Sequence, residues 1–156
     1  PNGGSVTLLS MLPFVLVSFR HGVKWGLFTG LVNGCLQMLL GFWAPPTPTF
    51  IYFLGEILLD YLVAFTPLGL AGLFKGKKWG IFVGTVVGCL GRFVVHYISG
   101  VTIWTDYCPA DMVVPVYSLL YNGSYMLIET IITVIGAVAL SKVPAVINVT
   151  GKASKN

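Results

Sequence analysis

Apolar residues of this chain fall into five long blocks, and short polar or proline-rich stretches separate them. Four blocks have about the twenty residues that an α-helix needs to cross the hydrocarbon core of a membrane, and the first, with fifteen, is short for a span. None shows the alternating ten-residue pattern of a membrane barrel. The pattern therefore predicts an all-α, polytopic transmembrane helix bundle that forms a single membrane domain over residues 1–156. The five predicted spans are Ser5–Phe19, Trp25–Trp43, Phe50–Phe74, Trp79–Gly100 and Val116–Ser141.

The breaks between the blocks support these boundaries. Residues 44–49 have the sequence APPTPT, in which the prolines cannot continue a helix. Pro13 and Pro67 lie within predicted spans, and each is expected to kink or break its helix. Trp25 and Trp43 bracket the second block, as is typical of side chains at the two membrane interfaces.

Basic residues mark one side of the predicted bundle. Those outside the spans all fall in alternate connections, whereas residues 44–49 and 101–115 contain none. Because cytoplasmic loops carry the excess of Lys and Arg, this distribution predicts that the first residues of the sequence lie outside the cell and the C-terminus inside. The residues concerned are Arg20, Lys24, Lys75, Lys77, Lys78, Lys142, Lys152 and Lys155.

Composition agrees with a protein of the lipid bilayer and argues against other classes. The 156 residues are 56% hydrophobic and 9% charged, whereas a soluble domain has about 25% charged residues. The formal net charge of +4 includes one dense basic run, residues 75–78, between two apolar blocks, so membrane topology explains it better than nucleic-acid binding. The three cysteines are widely spaced, and we expect them to be packing residues.

A repeated segment supports the second and fourth spans. Residues 24–36, KWGLFTGLVNGCL, and residues 78–90, KWGIFVGTVVGCL, match at most positions with a constant offset of 54, from Lys24 to Lys78. Glycines four residues apart strip one face of each helix of side chains, so another backbone can approach closely. Two interpretations stay open: helix packing within the bundle, and a docking face for a partner protein. The glycines are Gly26, Gly30, Gly34, Gly80, Gly84 and Gly88.

Polar residues of three predicted spans converge in the outer half of the bundle. At about 1.5 Å per residue, Asp60 lies roughly 15 Å and Arg92 roughly 12 Å below the outer surface. A charge at membrane depth costs roughly 2.5 to 3.5 kcal/mol on insertion scales, so it usually faces a partner or a cavity. Other polar or aromatic residues in this half are Glu56, His96, Tyr117, Tyr121, Asn122 and Tyr125, with Trp104 in the loop above them and Glu129 deeper.

Two interpretations of this convergence remain open. Asp60 and Arg92 either neutralise each other as a structural ion pair or line a ligand pocket that opens to the outside. The neighbouring imidazole, amide and aromatic groups favour the pocket. Aromatic faces attract cations and a carboxylate accepts from ring amino groups, so the set suits a flat, cationic or hydrogen-bonding heteroaromatic ligand.

Catalysis and metal binding have less support. His96 with Asp60 resembles a catalytic base and its carboxylate partner, and Ser99 or Ser118 would then be the nucleophile. However, no G-x-S-x-G or H-E-x-x-H motif accompanies them. His96, Asp60 and Glu56 lack the spacing of a metal site. No phosphate-binding G-x-x-x-x-G-K-[ST] loop occurs, so the sequence does not predict ATP binding of that kind, and any energy source must come from elsewhere. We therefore expect no enzyme activity, no metal and no cofactor.

Three motifs on the last three predicted spans carry a specific resemblance. They are LLDYLVAFTPLGLAGLF (58–74), GRFVVHYISGVTIW (91–104) and VYSLLYNGSYM (116–126). Together they resemble the thiamin-specific substrate-binding component, or S component, of bacterial energy-coupling factor (ECF) transporters, over about Leu12 to Ala139. The resemblance implies a six-helix protein of the cell membrane that captures thiamin from outside with high affinity. It also implies an additional helix before Pro1, which in the family docks the coupling protein.

The resemblance further implies partners and site residues. The partners are thiamin, a transmembrane coupling protein and two cytoplasmic ATPase subunits. In the motifs of this chain the binding residues are Asp60 and Tyr61, then Arg92, His96 and Trp104, then Tyr117 and Asn122. We expect the aminopyrimidine of thiamin to hydrogen-bond with Asn122, Tyr117 and Asp60. The cationic thiazolium is expected to stack on Trp104 and His96 near a carboxylate.

Two other acids and several other functions stay open. Glu129 is either a second pocket carboxylate or a partner for Arg92, and we include it among the site residues. Glu56, nearer the outer surface, is expected to guard the mouth of the pocket or to be solvated there. The competing functions are an S component for another heteroaromatic vitamin, a small structural membrane protein, and a channel or carrier that works alone.

Overall fold

Helices and their connections make up residues 6–147, the range that the computed structural model describes. Within that range no residue lies in a β-strand, so the all-α prediction is confirmed. Between α3 and α4 the chain forms a π-helix and a 3₁₀-helix, and a short 3₁₀ turn, Thr105–Tyr107, follows α4. The α-helices are α1 (Leu12–His21), α2 (Val23–Leu40), α3 (Phe50–Glu56), α4 (Gly80–Thr102), α5 (Val114–Ser141) and α6 (Pro144–Ile147).

Three helical stretches of the described range are long and apolar enough to cross a membrane. They are Phe50–Phe74, Gly80–Thr102 and Val114–Ser141, which correspond to the third, fourth and fifth predicted spans. The ten residues of α1 extend only about 15 Å. The eighteen residues of α2 include the polar side chains of Asn33 and Gln37. The total of five spans therefore stays a prediction.

The first helix starts later than the sequence predicts. Ser5 lies outside the described residues, and residues 6–11 form an irregular stretch that ends in turns. Pro13 occupies the first turn of α1, where its missing N–H leaves no hydrogen bond unmade. Pro13 therefore helps to start this helix instead of kinking it, and the apolar residues before it are not helical.

The third predicted span, Phe50–Phe74, changes its winding twice, and we call it the broken span. α3 continues as a π-helix over Ile57–Leu62, where the Val63 N–H donates to the Leu58 carbonyl five residues earlier at 2.8 Å. After a short turn the chain tightens into the 3₁₀-helix Thr66–Phe74, with Pro67 in its first turn. The interruption predicted at Pro67 is therefore present. Single π turns within α-helices are frequent at functional sites.

Both glycine repeats pack against the backbone of this broken span. A Cβ atom added to Gly30 would lie 2.6 Å from the Phe65 carbonyl oxygen, and one added to Gly88 would lie 3.0 Å from Leu68 Cα. The 3₁₀-helix thus lies in contact with α2 and α4 through surfaces without side chains. Of the two interpretations, helix packing within the bundle is the one that the contacts support. All six repeat glycines are buried: Gly26, Gly30, Gly34, Gly80, Gly84 and Gly88.

Many large apolar side chains face outward, and the buried residues include several small or polar ones beside an apolar core. Leu40 and Phe50 are 86% and 83% exposed. Such a distribution is expected where the surroundings are lipid, because small and polar residues then form the contacts between helices. The buried polar residues are Ser18, Glu56, Thr85, Ser99, Ser118, Asn122, Glu129 and Thr133.

Contacts at the two ends of the bundle follow the predicted alternation of the loops. At one end Lys75 Nζ donates to the Arg20 carbonyl at 3.1 Å, and Arg20 Nη1 donates to the Ala145 carbonyl at 3.1 Å. Three basic connections therefore meet there. At the other end Thr47 Oγ1 donates to Asp106 Oδ2 at 2.8 Å. This contact joins the two loops that contain no lysine or arginine.

Candidate ligand-binding site

A cavity of about 610 Å³ lies between α2, the broken span, α4 and α5. Pockets for small organic ligands typically enclose about 300 to 1,000 Å³. The cavity brings together all eight residues that the sequence nominated, and their part in binding stays a prediction. They are Asp60, Tyr61, Arg92, His96, Trp104, Tyr117, Asn122 and Glu129.

Asp60 is held by three side chains from α4 and the turn after it. Its Oδ2 accepts from Ser99 Oγ at 2.5 Å and from Trp104 Nε1 at 2.8 Å, and its Oδ1 lies 3.2 Å from His96 Nδ1. Hydrogen bonds to a carboxylate favour its ionised form and fix its orientation. Ser99 was not predicted as a site residue. Its position three residues after His96, on the same face of α4, was the available signal.

His96 links Arg92 to Asp60. Arg92 Nε donates to His96 Nε2 at 3.4 Å, so Nε2 acts as the acceptor and the imidazole proton lies on Nδ1, facing Asp60. Among the described residues, the partner that lies within 4.0 Å of the Asp60 carboxylate in an ion-pair contact is His96. The direct Asp60–Arg92 pair, one of the two interpretations left open by the sequence, is therefore not formed.

The Arg92 guanidinium lies on an aromatic face. Its Cζ is 3.8 Å from the centre of the Phe65 ring, a cation–π contact that holds the charge beside the broken span. Nη1 is buried and has no hydrogen-bond acceptor among the described residues. A donor of the cavity wall is thus available to a ligand.

Asn122 fastens α5 to α4. Its Nδ2 donates to the Ser118 carbonyl at 3.0 Å and lies 3.3 Å from the His96 carbonyl, and its Oδ1 accepts from the Tyr125 hydroxyl at 2.7 Å. The two amide hydrogens are therefore engaged within the protein, and the capacity that remains is a lone pair on Oδ1. In this arrangement Asn122 can accept a hydrogen bond from a ligand but has none left to donate.

Tyrosines spaced four residues apart form the α5 wall of the cavity. Tyr117 and Tyr121 stack with ring centres 5.8 Å apart, and Tyr121 meets Tyr125 edge-on at 5.8 Å. His96 continues the series, with its ring centre 6.5 Å from that of Tyr125. Tyr121 and Tyr125 were outside the predicted set, although the spacing of four places them on the face of Tyr117.

Tyr61 anchors the loop that follows α2. Its hydroxyl accepts from the Trp43 N–H at 2.8 Å and donates to the Gly41 carbonyl at 3.2 Å. Its ring also stacks on Phe42, with centres 5.4 Å apart. Trp43, Gly41 and Gln37 line the cavity as well. No sequence signal pointed to Gln37, Gly41 or Trp43 as cavity residues, because their position depends on how the loop after α2 folds back.

Replacing Tyr61 with phenylalanine is expected to weaken ligand binding by about 3- to 10-fold. The change leaves the Trp43 N–H without its acceptor, at a cost of about 1 to 3 kcal/mol that loosens this part of the wall. Isothermal titration calorimetry on detergent-purified protein measures the effect. Tyr52→Phe is the matched control, since Tyr52 lies on α3 outside the cavity lining. Equal affinities for the two variants would contradict the anchoring role.

Glu129 and Glu56 both line the cavity but differ in their hydrogen-bond partners. Glu129 Oε1 accepts from the Thr7 N–H and from Thr7 Oγ1, each at 2.6 Å, and no ion pair within 4.0 Å joins it to Arg92 in the described part of the chain. Its interpretation as a pocket carboxylate is therefore favoured. Glu56 is only 1% exposed, so the expectation of a solvated residue at the mouth is wrong. Depth along the helix did not reveal that its side chain faces inward.

The formal charges of the cavity wall sum to a negative value. Three carboxylates, Asp60, Glu56 and Glu129, face one guanidinium and one imidazole. Such a wall favours a cation, because a low-dielectric surrounding strengthens charge interactions. The described residues contain no group of three or more His, Cys, Asp and Glu side chains that could hold a metal ion.

Comparison with known families shows the family of this chain. The family described as "Thiamine transporter protein (Thia_YuaJ)" matches residues 1–148. The chain belongs to this family. The predicted resemblance to a thiamin transporter family is thus confirmed. The family name describes transport and not catalysis, in agreement with the expectation that the chain is not an enzyme.

Two relatives carry the description "Thiamine transporter ThiT". The one from Bacillus subtilis (strain 168) is 38% identical in an alignment of length 148, and the match covers 86% of this chain and 73% of the relative. The one from Lacticaseibacillus paracasei (strain ATCC 334) is 30% identical in an alignment of length 141, and the match covers 80% of this chain and 67% of the relative.

A solved structure of ThiT from Listeria monocytogenes has the same fold. The two structures superimpose with a TM-score of 0.75, over 94% of this chain and 85% of the other, at 21% sequence identity. Together with the family match and the apolar helices, this likeness identifies the chain as a helical membrane protein.

Proposed function

We propose that this chain captures thiamin in the cavity between the broken span, α4 and α5, as the S component of an ECF transporter. One observation carries the proposal: a member of the thiamine transporter family holds a cavity of about 610 Å³ in which carboxylates outnumber cationic groups. Thiamin joins a neutral aminopyrimidine to a cationic thiazolium. A wall of fixed carboxylates and aromatic rings is suited to both halves.

The aminopyrimidine is assigned to the wall formed by Asp60, Tyr117 and Asn122. Ring nitrogens and the amino group need both donors and acceptors, and Arg92 Nη1 and Asn122 Oδ1 supply one of each. These groups are held by protein contacts, so little side-chain freedom is lost when the ligand binds.

The thiazolium is assigned to the faces of Trp104 and His96. The Trp104 indole is fixed at its N–H by Asp60 and stacks on Tyr107, with ring centres 5.7 Å apart. A ring fixed on one side offers its other face to a flat cation. The assignment therefore places the cationic half of thiamin beside the turn that follows α4.

Orientation and partners complete the proposal. The end of the bundle where Arg20 and Lys75 meet faces the cytoplasm, since it collects the basic connections. The cavity then opens toward the outside, and the whole sequence 1–156 forms one substrate-binding domain. A transmembrane coupling protein and two ATPase subunits supply the energy, in keeping with a sequence that contains no nucleotide-binding loop.

A screen of purified protein against the B vitamins tests this function. Thiamin is expected to raise the melting temperature, because a ligand at about 1,000 times its Kd stabilises the native state by about 4 kcal/mol. It should also quench tryptophan fluorescence. Trp104→Phe is expected to remove most of the quenching, whereas Trp25→Phe should keep it, since Trp25 is 57% exposed on α2 and outside the cavity lining.

Two outcomes would contradict the proposal. A saturable shift with a different vitamin, and none with thiamin, would assign the chain to another ligand. Thiamin quenching that survives Trp104→Phe unchanged would place the bound vitamin away from Trp104 and contradict the assignment of the thiazolium to its face.

A further inference from the structure

Glu56 is a cavity carboxylate with one oxygen that has no hydrogen-bond partner among the described residues. It is the last residue of α3, lies one turn before Asp60, and is 1% exposed. Its Oε2 is buried and has no hydrogen-bond donor among residues 6–147. Burying a carboxylate without a partner costs several kcal/mol, which makes the ligand-free protein less stable than it would be with a neutral side chain here.

The other two cavity carboxylates are already engaged. Asp60 accepts from Ser99 and Trp104 and is connected to the Arg92 charge through His96. Glu129 accepts two hydrogen bonds from Thr7. A cation that enters the cavity therefore meets one carboxylate oxygen that is both buried and without a donor among the described residues, Glu56 Oε2.

We propose that Glu56 is the counter-ion of the bound cationic ring and that it sets the preference of the site for cationic over neutral ligands. This inference rests on the proposed function, and it identifies the carboxylate that neutralises the thiazolium charge. Asp60 then serves mainly as an acceptor and as the organiser of Ser99, His96 and Trp104. The two acids on neighbouring turns of the broken span thus have separate tasks.

The substitution Glu56→Gln tests the assignment, because it removes the charge and keeps the shape. Calorimetry compares thiamin with the neutral aminopyrimidine alcohol that corresponds to one half of it. The variant is expected to bind thiamin about 10- to 100-fold more weakly, the loss typical of a charged hydrogen bond, and to bind the neutral pyrimidine within about twofold of the unchanged protein. Equal losses for both ligands, or no loss for either, would overturn the proposal.

The melting temperature without ligand is a second measurement. Replacing a glutamate with a merely structural role would lower it, whereas replacing Glu56 is expected to raise it. Glu56→Gln is expected to raise it by about 2 to 4 °C, since an unpaired buried charge is removed. The matched control is Glu129→Gln, which disturbs the two contacts from Thr7 and should lower it. A fall with Glu56→Gln, or a rise with both variants, would overturn the assignment.

Failure of this inference is distinguishable from failure of the proposed function. If the unchanged protein does not bind thiamin, the proposed function is wrong. If it binds thiamin and Glu56→Gln binds equally tightly, the counter-ion assignment alone is wrong. Glu56→Leu repeats both measurements should the glutamine variant not accumulate in folded form.

Discussion

Replacing Asp60 with alanine is expected to weaken thiamin binding at least about 100-fold. Hydrogen bonds to a charged group contribute about 1.5 to 3 kcal/mol each, and a loss of about 3 kcal/mol already exceeds a factor of 100. The substitution also releases Ser99, His96 and Trp104, whose donors converge on this carboxylate. The dissociation constant from calorimetry or tryptophan quenching is the measurement.

The matched control for this prediction is Asp111→Ala. Asp111 is exposed in the loop before α5 and does not line the cavity, so its loss should leave the dissociation constant within about twofold. Asp60→Asn adds a finer comparison. One carboxylate oxygen becomes an NH2 group, which cannot accept a hydrogen bond from Ser99, His96 or Trp104. An Asp60→Ala protein with unchanged affinity would show that the ligand site lies elsewhere.

Replacing Gly30 with alanine is expected to destabilise the fold by at least about 2 kcal/mol, and Gly30→Val should prevent folded protein from accumulating. The new Cβ would stand 2.6 Å from the Phe65 carbonyl oxygen, which is backbone and cannot rotate away. Inserting atoms into a close-packed contact typically costs about 1 to 3 kcal/mol. Melting temperature and the elution profile in detergent measure the loss.

Gly123→Ala provides the control for the glycine prediction. Gly123 also lies within a helix, but a Cβ there would meet only the Phe93 ring, at 4.0 Å. Alanine has a higher helix propensity than glycine by about 1 kcal/mol, so stability should stay equal or rise. A Gly30→Ala protein that melts like the Gly123→Ala protein would contradict the close contact between α2 and the broken span.

The helical class, the loops at each end and the convergence of the polar residues follow from the sequence. Apolar block length, basic residues and residue counts along straight helices suffice for these features. Asp60, Arg92 and His96 line one cavity as expected, because the third and fourth spans carry them at matching depths. Ser99 and Tyr121 were within reach of the same reasoning, since each lies one turn from a residue already nominated.

Other features depend on facts that the pattern does not contain. The start of α1 was missed because apolar composition continues into an irregular stretch, and composition does not report backbone hydrogen bonds. Glu56 was misplaced because counting residues gives depth along a helix and not the direction of a side chain. The role of the repeat glycines stayed open until the contacts of Gly30 and Gly88 with one shared backbone were known.

The π-helix has a consequence for how this chain tolerates changes of length. Over Ile57–Leu62 the backbone uses one residue more per hydrogen-bonded turn than an α-helix does, as the bond from Val63 to Leu58 shows. Deleting one residue there would restore ordinary α spacing and change the angle between Glu56 and Asp60 around the helix axis. The segment would stay apolar and long enough to enter the bilayer, but its acids would face different neighbours. Membrane insertion therefore depends on the apolar length of this helix, whereas ligand recognition also depends on its register.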